Sequence, residues 1–479
     1  MQNKCPIFWI NYIFNVTLHL EMKYNTYTLD NGLRIIHLPS DSQVVYCGYQ
    51  INAGTRNEEP GEEGLAHFCE HVTFKGTERR KAWHILNCLE SVGGDLNAYT
   101  NKEGTVYYSA ILKEHIARAV DLLSDIVFHS VYPQAEIDKE VEVICDEIES
   151  YNDSPAELIY DEFENILFKG LPLGHNILGT AEQVRAFKTE DALRFTRKLY
   201  RPDNAIFFAY GDIDFKKLVK LIQKALGECP KGRELACSAD CKSAETPTEE
   251  RIAEKTPTKE RITEETPSGE TPTEEMEAGD ANHKVQSSKF NVQSKVAGQT
   301  IVMQKNTHQA HVMIGTQAYD VNDDRRMPLY LLNNMLGGPG MNAKLNLALR
   351  EHNGLVYTVE STMVAYGDTG TWSIYFGCDE HDVKRCLRLV RKELDKFMQK
   401  PLSDAQLKAA KKQIKGQIGV ACDNRENFAL DFGKSFLHYG WEKNVDRLYE
   451  QVDEITAAQI QAVAQELFDK DRLTTLIFK

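Results

Sequence analysis

Two stretches of this chain repeat the same apolar pattern, and this repeat constrains the fold more than any other feature of the sequence. Residues 133–148 (PQAEIDKEVEVICDEI) and 403–418 (SDAQLKAAKKQIKGQI) align at a constant separation of 270 positions. Each stretch follows a strand-like segment and an amphipathic helical segment of similar spacing. An internal duplication predicts two copies of one structural unit. We therefore predict an α+β fold of two duplicated domains, each a mixed β-sheet covered by helices.

The segment between the two copies differs in composition from both. Within residues 242–280, Thr-Pro pairs recur at positions 246, 256 and 266 among Glu, Lys and Arg, and no aromatic residue occurs. Such a segment buries too little apolar surface to fold alone, which is typical of a flexible linker. Met22 is the expected natural start of the folded chain. The predicted organisation is an extension at 1–21, a first domain at 22–228, an acidic linker at 229–297 and a second domain at 298–479.

A short helix in the first copy carries the most distinctive side chains. Residues 64–74 (GLAHFCEHVTF) contain no proline and no glycine after the first position, which predicts a helix. At about 100° per residue, His67, Glu70 and His71 share one face. Two histidines one turn apart can bind one zinc ion, and a glutamate between them can accept a proton from water at the metal. A chance pattern of solvated histidines is the alternative, and a third ligand would separate the two interpretations.

A second helix of the first copy offers two carboxylates to the same site. Glu140 and Glu147 are seven residues apart, so they lie along one edge of the apolar stripe of their helix. They can face an interior site, whereas the other acidic side chains near them point to solvent. The second copy has Ala410 and Gln417 at these positions, and no His-x-x-Glu-His precedes them. The fold of the unit therefore does not require the two carboxylates, which indicate chemistry restricted to the first copy.

His67-x-x-Glu70-His71, followed 76 residues later by Glu147 with Glu140 before it, closely resembles the inverted-motif zinc peptidases. That family includes pitrilysin, insulin-degrading enzyme and the β subunit of the mitochondrial processing peptidase, and the resemblance is closest to the two-domain processing-peptidase branch. It implies a zinc-dependent endopeptidase with one Zn²⁺ per chain, bound by His67, His71 and Glu147. Glu70 would be the general base, and Glu140 a further acid beside the site. The first domain would be catalytic and the second non-catalytic.

The same resemblance implies where substrate would bind. Residues 94–100 (GDLNAYT) are similar to the edge strand of the family, so Asn97 and Ala98 would contact substrate backbone by β-addition. Arg350 and Tyr357 are similar to an Arg/Tyr pair that reaches the substrate carbonyl from the second domain. The two domains would face each other around a chamber that admits unfolded peptides or precursor segments. The expected assembly is a homodimer or a pair with a related subunit.

Composition limits the partners and the compartment. A net charge of −15 without a basic stripe argues against nucleic acid as a partner. Eleven cysteines at irregular spacing indicate a reduced intracellular protein rather than a disulfide framework. Residues 1–21 are apolar but interrupted by polar residues, a pattern that fits neither a membrane span nor a cleaved signal. We expect a cytoplasmic protein with no membrane partner, and export is the alternative.

Two other functions stay open at this level. A non-catalytic chamber or scaffold subunit would keep the fold and lose the motif, yet the motif here is complete. A metal- or haem-binding carrier could use the histidine pair alone, but it leaves Glu140 and Glu147 without a role. At single positions, Arg350 could form a surface ion pair and Tyr357 could pack within a strand. Structural roles are expected for the other possible metal ligands, which are His175, His308, His311, Cys229, Cys237 and Cys241.

Overall fold

Two mixed β-sheets organise the chain, of which the computed structural model describes residues 23–227, 298–305 and 307–479. The strands of the first sheet are β1 (Asn25–Thr28), β2 (Arg34–Pro39), β3 (Val44–Ile51), β4 (Asp95–Thr100), β5 (Thr105–Leu112) and β6 (Ala205–Gly211). They are ordered β1-β2-β6-β3-β5-β4, so β4 lies at an edge. Strands β2 and β6 are parallel, and the other neighbours are antiparallel.

Eight α-helices are described for the first copy. They are α1 (Leu65–Thr73), α2 (Ala82–Glu90), α3 (Ile116–Phe128), α4 (Gln134–Asn152), α5 (Pro155–Leu167), α6 (Ala181–Ala186), α7 (Thr189–Leu199) and α8 (Phe215–Leu226). Helix α1 packs against α4, α7 and the edge strand β4. The helix predicted from residues 64–74 is therefore present, and it lies beside both the second helix with its carboxylates and the free edge of the sheet.

The second sheet has the same mixed character. Its strands are β7 (Thr300–Met303), β8 (Ala310–Ala318), β9 (Val356–Ala365), β10 (Gly370–Cys378) and β11 (Thr474–Phe478), in the order β7-β11-β8-β10-β9. The α-helices described for the second copy are α9 (Arg326–Gly337), α10 (Val383–Gln399), α11 (Asp404–Cys422), α12 (Arg425–Tyr439), α13 (Val445–Glu454) and α14 (Ala457–Leu467). Only β7 and β11 pair in parallel among the strands described for this sheet.

The duplication predicted from the sequence is confirmed at the level of individual helices. Helices α4 and α11 begin at Gln134 and Asp404, and helices α5 and α12 begin at Pro155 and Arg425, each pair 270 positions apart. Two mixed sheets covered by helices are the predicted fold class. The proposed extension 1–21 and the proposed linker 229–297, with its three cysteines, lie outside the described residues, so the domain boundaries stay a prediction.

The two copies exchange a helix. Helix α5 of the first copy packs on β8 and β11 of the second sheet, and its counterpart α12 packs on β3 and β6 of the first sheet. A glutamine of each sheet binds the helix that crosses over. Gln50 in β3 donates a hydrogen bond to the carbonyl oxygen of Leu430 (2.8 Å), and Gln317 in β8 donates one to the carbonyl oxygen of Leu167 (2.7 Å). This reciprocal packing joins both sheets into one body.

Burial of apolar side chains explains how α1 and α4 present their polar faces. Helix α1 buries Leu65, Ala66, Phe68, Cys69 and Val72, and helix α4 buries Ile137, Val141, Ile144, Cys145 and Ile148. Each large aliphatic side chain contributes about 1.5–3 kcal/mol when it leaves water, so the rotation of both helices is strongly determined. Their remaining faces meet at the margin of this core. None of the helices in the described part of the chain combines the length and the apolar character needed to span a bilayer.

Candidate metal centre

The predicted ligands converge between α1 and α4. Nε2 of His71 lies 3.2 Å from Oε2 of Glu147, and Nε2 of His67 lies 3.8 Å from the same oxygen. One ligand atom from each of the three side chains falls within 4.8 Å of the others. Zinc binds nitrogen and oxygen ligands at about 2.0–2.2 Å, so two ligands at a tetrahedral angle are about 3.3 Å apart. The three side chains therefore fit a zinc ion in both ligand type and spacing.

The carboxylate of Glu140 lies beside the ring of His71, and its role at a metal site stays a prediction. Nδ1 of His71 lies 3.1 Å from Oε1 of Glu140, and Nζ of Lys75 lies 2.5 Å from the other carboxylate oxygen. An ionised carboxylate can only accept, so Nδ1 donates and Nε2 is the nitrogen left for a metal. Burial raises the pKa of Glu140, but the bonds to His71 and Lys75 outweigh it and hold this pKa below its usual range.

The pKa values of the two histidines are shifted in opposite directions. Burial and the neighbouring His71 lower the pKa of His67 to about 4. Burial also lowers the pKa of His71, but its hydrogen bonds to Glu140 and Glu147 outweigh this effect and raise the pKa to about 9. The hydrogen bond with His71 holds the pKa of Glu147 below its usual range. His67 is thus a neutral imidazole, the form that binds metals, and the carboxylates balance the charge of the site.

Glu70 stands beside the ligands in a different environment. Glu70 is half-buried, and Oγ1 of Thr100 donates a hydrogen bond of 2.7 Å to its Oε2. Burial raises the pKa of Glu70, and the bond from Thr100 offsets only part of that rise. A carboxylate with a raised pKa is suited to accept and return a proton near neutral pH. Thr100 is the last residue of β4, so this hydrogen bond joins Glu70 directly to the edge strand.

The edge strand has the exposure that peptide addition requires. Among the described strands, β4 pairs only with β5, where Asn97 lies opposite Tyr108 and Ala98 opposite Tyr107. Asn97 is exposed and Ala98 is half-buried. The outer backbone groups of β4 therefore face away from the sheet next to α1. This placement agrees with the edge strand expected for residues 94–100, and the roles of Asn97 and Ala98 stay a prediction.

Arg350 and Tyr357 lie close to each other. They line a groove of about 750 Å³ in the second copy, which residues 337–341 also line. The guanidinium carbon of Arg350 is 6.0 Å from the ring centre of Tyr357, whose side chain is 81% exposed. Within the described residues, no hydrogen bond or ion pair joins either side chain to His67 or His71.

This groove is the counterpart of the metal centre in the second copy. It lies between α9 and α11, as the metal centre lies between α1 and α4. Gln417, which replaces Glu147, lines the groove, and its Oε1 is buried without a hydrogen-bond partner in the described part of the chain. Ala410, which replaces Glu140, is buried. The second copy thus keeps the shape of the site and lacks the ligand set.

Some contacts of the centre were not foreseen from the sequence. Lys75 and Thr100 hold Glu140 and Glu70, respectively. Lys75 follows His71 by four positions, the spacing of one helical turn, and this spacing was the available signal. Nothing in the local pattern marks Thr100. Two histidines predicted to be structural form hydrogen bonds with other side chains. Nε2 of His175 lies 2.9 Å from Oε2 of Glu58, and Nδ1 of His311 lies 2.9 Å from the hydroxyl of Tyr375.

Two histidines and a glutamate on one helix, with a carboxylate from a second helix in the first of two duplicated domains, are the arrangement of inverted-motif zinc metallopeptidases. The chain belongs to the insulinase family (peptidase family M16). Residues 35–181 match the family itself, and residues 186–414 match the domain described as the peptidase M16 inactive domain. That description agrees with the missing ligands of the second copy.

Individual relatives are similar over nearly the whole chain. The mitochondrial-processing peptidase subunit beta of Saccharomyces cerevisiae is 30% identical over 457 residues, which cover 91% of this chain and 86% of the relative. The uncharacterized zinc protease YmxG of Bacillus subtilis is 28% identical, with coverage of 94% and 97%. A protease from Helicobacter pylori shares the fold, with a TM-score of 0.77, 20% identity and coverage of 96% and 99%.

Proposed function

We propose that this protein is a zinc-dependent endopeptidase that hydrolyses unfolded peptides or precursor segments between its two domains. The observation that carries the proposal is the convergence of His67, His71 and Glu147 within 4.8 Å, with the half-buried Glu70 on the same helix as the histidines. The names of the relatives, zinc proteases and a processing peptidase, support the same chemistry. One zinc ion would be bound per chain.

Several residues of the chain have separate roles in the proposed reaction. Bound zinc supplies Lewis acidity that activates water and polarises the peptide carbonyl. Glu70 accepts the proton of the attacking water and returns it to the leaving amine. Glu140 holds the ring of His71, and Thr100 holds the carboxylate of Glu70. Asn97, in the edge strand beside Ala98, binds the extended substrate.

The second domain contributes to substrate binding in this proposal. Arg350 and Tyr357 donate hydrogen bonds to the substrate carbonyl and stabilise the oxyanion when a peptide occupies the space between the domains. The 22–228 domain is catalytic, and the 298–479 domain is not. Because one relative is named as a subunit of a processing peptidase, we propose that the protein works as a homodimer or with a related subunit.

Glu70→Gln is the test of this function. The variant keeps the shape of the side chain and the zinc ligands but loses the base, so zinc content should equal that of the wild type while peptide cleavage falls about 10²- to 10⁴-fold. The assay is incubation with a mixed peptide pool, with and without a chelator, followed by sequencing of the cuts. Glu78→Gln, an exposed glutamate after α1, is the matched control and should cleave normally.

Two outcomes would contradict the proposal. Near-normal cleavage by Glu70→Gln would exclude Glu70 as the general base. Cleavage by the wild type that a chelator leaves unchanged would exclude a role for the metal. A wild type that binds zinc and peptides but makes no cuts would instead be a non-catalytic chamber subunit. A wild type that binds haem through the histidine pair and no zinc would be a carrier.

A further inference from the structure

A carboxylate from outside α1 caps the N-terminus of this helix. The first N–H groups of a helix have no partner inside it, and the first turn of α1 contains no acidic residue. Glu58, in the loop before the helix, supplies two acceptors there. Its Oε2 accepts a hydrogen bond from the backbone N–H of Gly64 (3.1 Å), and its Oε1 accepts one from that of Ala66 (2.8 Å). It also places a negative charge at the positive end of the helix dipole.

The Glu58 carboxylate is buried, and both of its oxygens have hydrogen-bond partners. The side chain of Glu58 is 0% exposed, and Nε2 of His175 lies 2.9 Å from its Oε2 as a third partner. The ammonium group of Lys102, also buried, donates a hydrogen bond to the carbonyl oxygen of His175. An ionised group with three hydrogen-bond donors is held in one position, because losing any of them in a buried site is costly.

The loop that carries Glu58 is held in turn by the second domain. The backbone N–H of Arg56 donates a hydrogen bond of 2.9 Å to the carbonyl oxygen of Lys102. The Arg56 side chain lies 2.5 Å from Glu103 and 2.8 Å from Asp368, which belongs to the turn between β9 and β10. The backbone N–H of Gly367 in the same turn donates to Glu103 (3.1 Å). Contacts therefore run without a gap from the second domain to the first turn of α1.

We propose that Glu58 is a positioning residue of the metal centre, which fixes the first turn of α1 and thereby the place of His67 relative to Glu147. His67 is the third residue of this nine-residue helix, in the turn whose N–H groups Glu58 binds. Helices this short are not stable on their own, so their ends depend on capping and packing. Gly64 has a φ of 95°, and a Cβ there would approach the carbonyl oxygen of Leu178 to 2.7 Å. The backbone before α1 therefore depends on this glycine and on its partner Glu58.

The inference rests on the proposed function, and its test compares Glu58→Gln with Glu59→Gln. The amide introduced by the first change can accept only one of the two backbone bonds, whereas Glu59 is exposed and pairs with Lys198 on the surface. Glu58→Gln should weaken zinc affinity about fivefold to thirtyfold, the equivalent of a lost helix cap. Amide hydrogen exchange should accelerate across residues 64–68 and stay unchanged in the second domain. Glu59→Gln should match the wild type in both measurements.

A second variant covers the case in which Glu58→Gln does not fold. His175→Ala leaves both backbone bonds of Glu58 in place and removes only the hydrogen bond from the imidazole, so exchange at residues 64–68 should accelerate by a smaller factor. A folded Glu58→Gln with normal zinc affinity and normal exchange would overturn the inference, as would an unfolded Glu58→Gln together with a His175→Ala that equals the wild type. A wild type without zinc affinity would refute the proposed function instead, and exchange in that protein would still test Glu58.

Discussion

Glu147 is the one proposed ligand that α1 does not carry, so shortening it tests the geometry of the centre directly. Glu147→Asp keeps the charge and withdraws the carboxylate by one C–C bond, about 1.5 Å. The wild-type oxygen lies 3.2 and 3.8 Å from the two Nε2 atoms, near the separation that a shared zinc ion requires. After the change, the oxygen is too far from the metal to bind it. Because Glu147 is 45% exposed, the variant leaves no buried cavity and should fold normally.

The size of the effect follows from the number of ligands. Zinc bound by four ligands contributes about 10–16 kcal/mol, or about 2.5–4 kcal/mol for each ligand. Losing Glu147 should therefore weaken zinc affinity about 10²- to 10³-fold. The measurement is a competition titration against a chelator of known affinity, with the thermal melt of the metal-free protein as a check on folding. Asp146→Asn, the exposed neighbour on α4, is the matched control and should bind zinc normally.

Zinc affinity of Glu147→Asp equal to that of the wild type would refute this reasoning, because the carboxylate would then not bind the metal. An equal loss in Asp146→Asn would point to disturbance of α4 as a whole. Glu147→Gln adds a separate measure, since it keeps the length of the side chain and loses its charge. Its affinity should also fall, which separates the contribution of charge from that of reach.

Two further predictions concern how the ligands are held and charged. Glu140→Gln disturbs the acceptor shared by His71 and Lys75 and should weaken zinc binding about 10- to 100-fold. Glu142→Gln, on the exposed side of α4, is the control and should bind zinc normally. Equal affinities of the two variants in the competition titration would contradict the role of Glu140. Zinc affinity should also rise about tenfold per pH unit up to about pH 9 and then level off, because the pKa of His71 is raised to about 9 and its proton must leave before zinc binds. The pKa of His67, about 4, adds no proton at neutral pH. Calorimetry in buffers of different ionisation enthalpy counts the released protons, and a count near zero at pH 7 would be inconsistent with this charge state.

Local periodicity determined much of the site. Residues 67, 70 and 71 share a helical face by their spacing alone, and the apolar stripe of α4 placed Glu140 and Glu147 at its margin. The repeat at 270 positions predicted two similar domains, because the same apolar pattern buries the same faces in both copies. Ala410 and Gln417 marked the second copy as the one without ligands, and they lie at the matching place in α11.

Other features depend on contacts between residues far apart in the chain. Thr100 reaches Glu70 across 30 positions, and His175 reaches Glu58 across 117, so no periodic pattern could link them. The exchange of α5 and α12 between the sheets follows from the path of the whole chain.

The sequence by itself therefore determined which polar side chains share a helical face and which helices present them, since helical spacing and apolar burial act locally. Only the tertiary structure decided what holds those side chains in place, namely the cap on α1 and the hydrogen-bond partner of Glu70. The physical reason is that hydrogen bonds and ion pairs require atoms to meet within about 3 Å. Such contacts between distant residues depend on how their segments pack, not on the order of residues within any one segment.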